Sequence, residues 1–255
     1  MGVSMGTARL WVERWELQQQ HYATAREERF EVIGDVVEHV VAHQDRPLVL
    51  DLGCGPGSLA SRLTGRIPDA EIVAVDMDPV LLELGRAHHA DAARYVDAVI
   101  GNSGWTGTLG LDRPLDAVVS TTALHYLSEQ TLLRTYRQLE RLLRPGGALV
   151  NGDHFAPADR RCAELTAHVG RRQAERSRAH DHENWEAWWS AAAGDPELAE
   201  LFDLREERQA ALAHYRNDND LTLARHVELL GRAGFRRITP VWQFGDSHVL
   251  VALRD

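Results

Sequence analysis

The sequence predicts an α/β fold built on a mostly parallel sheet, and three observations carry that expectation. Residues 48–63 read LVLDLGCGPGSLASRL: a short apolar run, then glycine at every second position from Gly53 to Gly57, then an apolar-periodic helix. An apolar run bounded by glycines reads as a strand buried on both faces. Residues 71–76, EIVAVD, form a β-branched run ending in an acid, with Asp78-Pro79 behind it as N-cap and first helical turn. From residue 48 to about residue 154 such runs alternate with amphipathic helical stretches, the rhythm of strand–helix–strand units.

The glycine turn is the centre of the chain. Glycines there reach left-handed dihedrals and let a ligand approach the backbone without a Cβ in the way. The helix beyond offers unpaired N–H groups and the positive end of its dipole. The dinucleotide pattern is G-x-G-x-x-G/A, whereas here the spacing is G-x-G-x-G, with Ser58 where that pattern wants its third small residue. On VLDLGCGPG, residues 49–57, the sequence resembles the class I S-adenosylmethionine-dependent methyltransferases, whose first motif reads (V/L)LD(L/I)GCGxG. The resemblance implies a Rossmann-like three-layer sandwich of about seven strands, the last one antiparallel. It implies S-adenosyl-L-methionine as cofactor and S-adenosyl-L-homocysteine as product. It places Asp51, Gly53, Cys54, Gly55 and Gly57 at the cofactor.

The chain has 255 residues, 44% of them apolar, enough for one α/β domain with a substantial insertion. Its formal net charge of −10 repels nucleic-acid backbones and anionic membranes, so neither is expected as a partner. All 28 basic residues are Arg, which excludes Schiff-base or other lysine chemistry. Cys54 and Cys162 are too few and too far apart for a disulfide framework. No run approaches a transmembrane span and no signal peptide is visible, so a cytoplasmic protein is expected.

The elements follow in order. Residues 1–45 form an N-terminal helical cap, with Trp11, Trp15 and Tyr22 early and an amphipathic stretch over 26–43. Family caps fold over the cofactor, so His21, Tyr22 and Arg29 are candidates to reach cofactor or substrate; packing is the competing role for the aromatics. Residues 46–154 form the cofactor-binding core. Asp76 closes the second strand 25 positions after Asp51, where a carboxylate accepts from a ribose diol, and Met77 follows to flank the adenine. A third strand is expected over 94–100. Family members usually carry an acid near its end; if Val99 holds that position the acid is missing, and Asn102 or Asp97 is the substitute. The fourth strand, 115–120, brings Ser120 to the cofactor. Its continuation TTALHYL lacks the (D/N)PPY of base-amine methylating enzymes. A helix over 131–144 is stopped by RPGG, a further family mark, and the strand ALVNGD follows.

Residues 155–220 break the rhythm. They are charged and helical, with tryptophans at 185, 188 and 189, and read as a lid inserted between the fifth strand and the next helix. Trp185 and Trp189 are candidate substrate contacts, with packing as the alternative. Residues 221–255 return to a helix and a hairpin that completes the sheet. The whole is read as a single methyltransferase domain, with a homodimer possible.

Methyl transfer to a hydroxyl needs a base, and with no lysine the candidates are His, Asp, Glu and Tyr. In open α/β sheets the site lies outside the carboxyl ends of the strands. His154, ending the fifth strand, is the first candidate for base or substrate-orienting group, with Asp153 as its possible partner despite the alternation of a strand. His125 is the second, with a helix-capping core histidine as its alternative. The run His180-Asp181-His182-Glu183 lacks metal-ligand spacing, so no metal is expected. The expected activity is methyl transfer to an O or N atom of a small molecule, of the kind found in specialised metabolism. Two alternatives stay open: a carboxy-transferring or nucleoside-modifying user of the same cofactor, drawing cations from Arg160, Arg161, Arg171 or Arg172, and a catalytically silent cofactor-binding scaffold.

Overall fold

The computed structural model describes residues 2–22, 25–155, 157–212 and 219–255. Its strands are β1 (Leu48–Leu52), β2 (Glu71–Asp76), β3 (Arg94–Asp97), β4 (Leu115–Thr121), β5 (Leu143–His154), β6 (Arg237–Phe244) and β7 (Ser247–Leu253). They form one sheet in the order β3-β2-β1-β4-β5-β7-β6. Strands β1 to β5 pair in parallel, and β7 runs antiparallel between β5 and β6. Strand order reverses between β1 and β4, and a crevice opens beyond their carboxyl ends at such a switch point.

Helices α1 (Met5–Gln18) and α2 (Arg26–Val41) precede the sheet. Within it come α3 (Ser58–Arg66), α4 (Pro79–His88), the short α5 (Trp105–Thr108) and α6 (Glu129–Leu142). Helices α7 (Arg160–Ser177), α8 (Trp185–Ala193) and α9 (Ala199–Leu212) form the insertion after β5, and α10 (Leu223–Ala233) leads into the final hairpin.

Strand β1 is buried along its whole length because both faces are covered. Leu48, Leu50 and Leu52 pack with Leu132, Tyr136 and Leu139 of α6 and Leu229 of α10. Val49, on the opposite face, packs with Phe30, Ile33 and Val37 of α2 and Leu59 and Leu63 of α3. A separate cluster joins Trp11, Val12 and Trp15 of α1 to Leu81 and Leu84 of α4 and to Trp188, Trp189 and Leu198 of the insertion. The cap and the insertion thus share one core. Each leans on the helix that follows β2, and this roofs the crevice.

Two strands differ from the sequence expectation. β3 stops at Asp97, whose pairing with Asp76 the Ala98 N–H completes by a ladder bond to the Asp76 carbonyl at 3.0 Å, and Gly101 then takes φ +85°. Val99 and Ile100 therefore leave the sheet. β5 begins at Leu143, not at residue 148, with its register to β4 shifting between Leu115 and Ala117 where Pro145-Gly146-Gly147 is accommodated. No described helix is long and apolar enough to cross a membrane.

Candidate active site

The glycine turn is shaped by three positive φ angles, +66° at Gly53, +54° at Gly55 and +87° at Gly57. The Gly53 and Cys54 N–H groups donate to the Val75 carbonyl at 2.8 and 3.1 Å, tying the turn to β2. The glycines serve different neighbours. A Cβ on Gly53 would lie 2.3 Å from the Ala123 Cβ, and one on Gly57 2.2 Å from the Tyr95 hydroxyl. A Cβ on Gly55 meets nothing nearer than Trp15, at 3.7 Å. Gly53 and Gly57 satisfy the protein's own packing, and Gly55 leaves room for a ligand.

Asp76 sits beside that room. Its Oδ2 accepts from the Gly55 N–H at 2.8 Å, and its Oδ1 from the Met77 and Asp78 N–H groups at 2.7 and 2.9 Å. A carboxylate has about four acceptor positions, so one remains for a hydroxyl. Burial raises the carboxyl above its ordinary range, against the pull of these N–H groups. Asp51 lies deeper, with 0% exposure. Burial, and then the Asp76 charge, push it up to about 7.

A cavity of about 760 Å³ extends from this cradle. One end is walled by Gly53, Cys54, Gly55, Asp76 and Met77, all expected at the cofactor, together with Ala98, Val99 and Ile100. The cavity's remaining walls are formed by His125, Tyr126, His154, Tyr22, Trp185 and Trp189, with the Trp189 ring beneath Arg205 on the cradle side. The volume is in the range of small-molecule and cofactor sites. The open side of Gly55 and the remaining acceptor position on Asp76 suit an adenosyl group, so the cradle fits the cofactor the sequence implies.

Four residues expected at the cofactor do not line the cavity: Asp51 and Gly57, described above, and Ser120 and Asn102. Ser120 is fully buried and its hydroxyl donates to the Leu52 carbonyl at 2.9 Å, holding β4 to β1. The pleat brings Thr121, and then Thr122 and Ala123, to the cavity instead. Asn102 does not line the cavity; its N–H closes a turn onto the Val99 carbonyl, 3.1 Å away. Asp97 does not line it either, because its carboxylate is held by Arg208 at 2.6 and 2.9 Å. The β3 side of the cavity is therefore apolar.

The histidines are partnered differently from the expectation. Asp153 pairs with His125, Nδ1 to Oδ1 2.9 Å, and His154 pairs with Asp246 at 3.2 Å. Alternation along β5 sends the Asp153 and His154 side chains to opposite faces, so Asp153 meets only the His154 backbone N–H, at 2.9 Å. Burial raises the Asp153 carboxyl, but the hydrogen bond and charge of His125 outweigh it and hold the group below its ordinary value. His154 likewise holds Asp246 down. The His154 Nε2 is buried with no partner among the described residues. His125 is not a helix cap; Ser128 caps α6 through the Thr131 N–H.

The cap and insertion close the remaining sides. The Tyr22 hydroxyl accepts from the Trp185 N–H at 3.0 Å. Trp188 has 0% exposure and is a packing residue, whereas Trp185 and Trp189 both line the cavity and contact Trp15, ring centroids 5.4 and 6.3 Å apart. Arg29 is wholly buried and its Nη1 donates to the Ser247 hydroxyl at 3.2 Å, so it does not reach the cavity. The side chains of His21 and His180 lie outside the described residues. A network that sequence reasoning missed centres on Glu16. It accepts from Arg26 at 2.5 Å, from Arg62 at 3.0 Å and from the Ser58 hydroxyl, binding α1 to the start of α3. Burial disfavours the Glu16 charge, yet Arg26, Arg62 and Ser58 prevail and lower the group to about 2.

A doubly wound sheet with this cradle at its switch point defines a nucleotide-cofactor-binding α/β protein. Residues 49–147 match the family model described as a methyltransferase domain. Those residues form a domain of the class I S-adenosylmethionine-dependent methyltransferase type. The trans-aconitate 2-methyltransferase of Methylobacterium radiotolerans is 29% identical over 180 residues, 70% of this chain and 59% of that protein. The carboxy-S-adenosyl-L-methionine synthase of Yersinia pestis is 34% identical over 142 residues, 52% of this chain and 49% of that protein. The chain thus spans about half to three fifths of the length of these relatives. The magnesium protoporphyrin IX methyltransferase of Synechocystis PCC 6803, solved with S-adenosylhomocysteine, shares the fold. Its TM-score is 0.54 at 17% identity, over 96% of this chain and 94% of that one.

Proposed function

We propose that this chain transfers a methyl group from S-adenosylmethionine to an oxygen of a small organic molecule carrying a carboxyl or hydroxyl group. The observation that carries the reading is that one cavity joins the Gly55–Asp76 cradle to two histidines, each backed by a carboxylate. When bound, S-adenosylmethionine supplies an electrophilic methyl group on a positively charged sulfur. The chain's own residues do the rest. Asp76 and the glycine turn hold the adenosyl end. Asp153 accepts from the His125 Nδ1–H, which leaves Nε2 as the basic nitrogen, and Asp246 does the same for His154. The His125 imidazole takes the proton of a hydroxyl acceptor or orients a carboxylate one, and the His154 ring, whose Nε2 is buried, lines the cavity beside it. Trp185, Trp189 and Tyr22 exclude water from the reacting atoms. The relative named for trans-aconitate, a small carboxylic acid, supports an oxygen acceptor.

A carboxy-transferring reading loses its expected cations: Arg160, Arg161, Arg171 and Arg172 are exposed on α7 and none lines the cavity. Arg26 and Arg205 do line it, but each is paired, with Glu16 and Asp78.

Calorimetric titration with S-adenosylmethionine and S-adenosylhomocysteine tests the reading, followed by transfer of labelled methyl to a panel of small acids, phenols and amines. Micromolar binding of both, lost in Asp76→Ala, and label in an acid or phenol are expected. Absence of binding, or binding with label in amines alone, overturns it.

A further inference from the structure

The insertion does more than cover the acceptor end. Helix α9 lies across the carboxyl ends of β2 and β3 and is fixed there by two arginines. The Arg205 Nε donates to Asp78 at 2.7 Å, and both side chains are mostly buried. The Arg205 guanidinium also stacks 3.6 Å above the Trp189 ring. Arg208 donates to the Met77 carbonyl at 2.6 Å and grips both oxygens of Asp97. The anchors Met77, Asp78 and Asp97 immediately flank Asp76 and the Ala98–Val99–Ile100 wall, the end of the cavity that suits an adenosine. Positions 205, 208, 209 and 212 are spaced i, i+3, i+4 and i+7, so they share one face of α9. That face is pinned onto the adenosyl end.

Gln209 stands on that face one turn beyond Arg205 and lines the cavity. With its amide oxygen turned towards Arg205, it accepts from the two guanidinium Nη atoms at 3.2 and 2.8 Å. Both lone pairs of that oxygen are then occupied, and the NH₂ keeps its donors, which suit the acceptor ring nitrogen N1 of an adenine edge. The opposite wall has nothing equivalent, since Val99 and Ile100 are apolar and Asp97 is consumed by Arg208.

We infer that Gln209, carried on the insertion, reads the adenine edge of the cofactor in place of an acid at the end of β3. The inference rests on the cofactor reading above. Helix α9 is then a wall of the cofactor site, and Arg205 and Arg208 are positioning residues that hold Gln209 over the base.

The test compares binding of S-adenosylhomocysteine with that of S-inosylhomocysteine, in which oxygen replaces the 6-amino group and N1 carries a proton instead of accepting one. The full chain and its Gln209→Leu and Gln209→Glu variants are used, with melting temperatures as a folding control. The parent chain should prefer the adenosyl ligand by about ten- to a hundredfold, the discrimination expected of a site built to hydrogen-bond one edge. Gln209→Leu should bring the two affinities to within about threefold of each other, and Gln209→Glu, whose carboxylate cannot donate to N1, should also lose the adenosyl preference. A parent that binds both ligands equally overturns the inference, as does an undiminished preference in Gln209→Leu. Loss of all binding in both variants would also overturn it, by assigning Gln209 a packing role. A parent that binds neither ligand removes the cofactor reading itself, a result distinct from the others.

Discussion

The Nδ1 of His125 and the Oδ1 of Asp153 lie 2.9 Å apart, joining the loop after β4 to the end of β5. Parallel pairing produces this contact, because Thr121 lies opposite Gly152 and the two chains leave the sheet side by side. Asp153 is 1% exposed and its carboxyl is held below its ordinary value, so it stays ionised at neutral pH.

Asp153→Asn keeps the shape and removes the charge behind His125. Turnover should fall by about 10²- to 10⁴-fold, the range for loss of a positioned general base. The affinity for S-adenosylhomocysteine should change by less than about threefold, since Asp153 does not line the cavity and reaches it only through His125. His154→Ala should likewise lower turnover more than cofactor affinity. Initial-rate kinetics beside calorimetry check both, and an equal fall of rate and affinity would exclude a chemical role.

The turn glycines should separate stability from binding. Gly53→Ala and Gly57→Ala force a Cβ to within 2.3 and 2.2 Å of existing atoms at positive φ, so both should destabilise by at least about 2 kcal/mol. Gly55→Ala meets only ordinary contacts and should cost about 1 kcal/mol from its backbone alone. Its methyl group projects into the ligand's space, so it should weaken S-adenosylhomocysteine more than about tenfold. Urea unfolding and calorimetry read the two effects.

Acid should loosen the cap through Glu16. Its folded value of about 2 lies below the ordinary 4.5, so its stabilisation is complete above pH 4.5 and is lost as pH falls towards 2. The full contribution is about 3 kcal/mol. Glu16→Gln should remove it at pH 7 and flatten the stability curve between pH 4.5 and 2. Tryptophan emission follows the event, because Trp11 and Trp15 are on the same helix.

Asp51 should act in the opposite sense. Its folded value of about 7 stands above the ordinary 3.8, so the folded chain holds the proton that the unfolded chain has released. Stability from this group falls as pH rises from 3.8 to 7 and is constant above, a loss of about 4 kcal/mol at most. Asp51→Asn should abolish that slope. Asp76→Asn should move the window to lower pH, because the Asp76 charge is the second cause of the shift. Denaturant midpoints across the range test both.

What was legible in the sequence was what local chemistry dictates. The glycine turn, the acid at the end of β2, the Asp78 cap and the C-terminal hairpin each declare themselves within about ten residues, and the backbone follows. The histidine partners were not legible, because they depend on strand register and on which face a residue takes. Asp153 stood next to His154 in the chain but went to His125, while His154 found Asp246 across the β5–β7 pairing. Ser120 failed as a cofactor residue for the same reason of pleat. Arg205 and Arg208 looked like any solvated charges on a helix. Only the return of the insertion across β2 and β3 gives them partners. Glu16 carried no signal at all, since its three partners come from α2 and α3.

The placement of α9 also has a kinetic consequence. With the insertion latched to Asp78 and Asp97 beside the cradle, the expected order is that the adenosyl molecule loads before the latch closes and leaves after it opens. On the proposed activity, the acceptor should be the second reactant to arrive and its methylated form the first product to depart. Initial-rate patterns should be those of a compulsory-order sequence. S-adenosylhomocysteine should compete with S-adenosylmethionine but not with the acceptor, and at saturation turnover should quicken with ionic strength as the arginine pairs are screened.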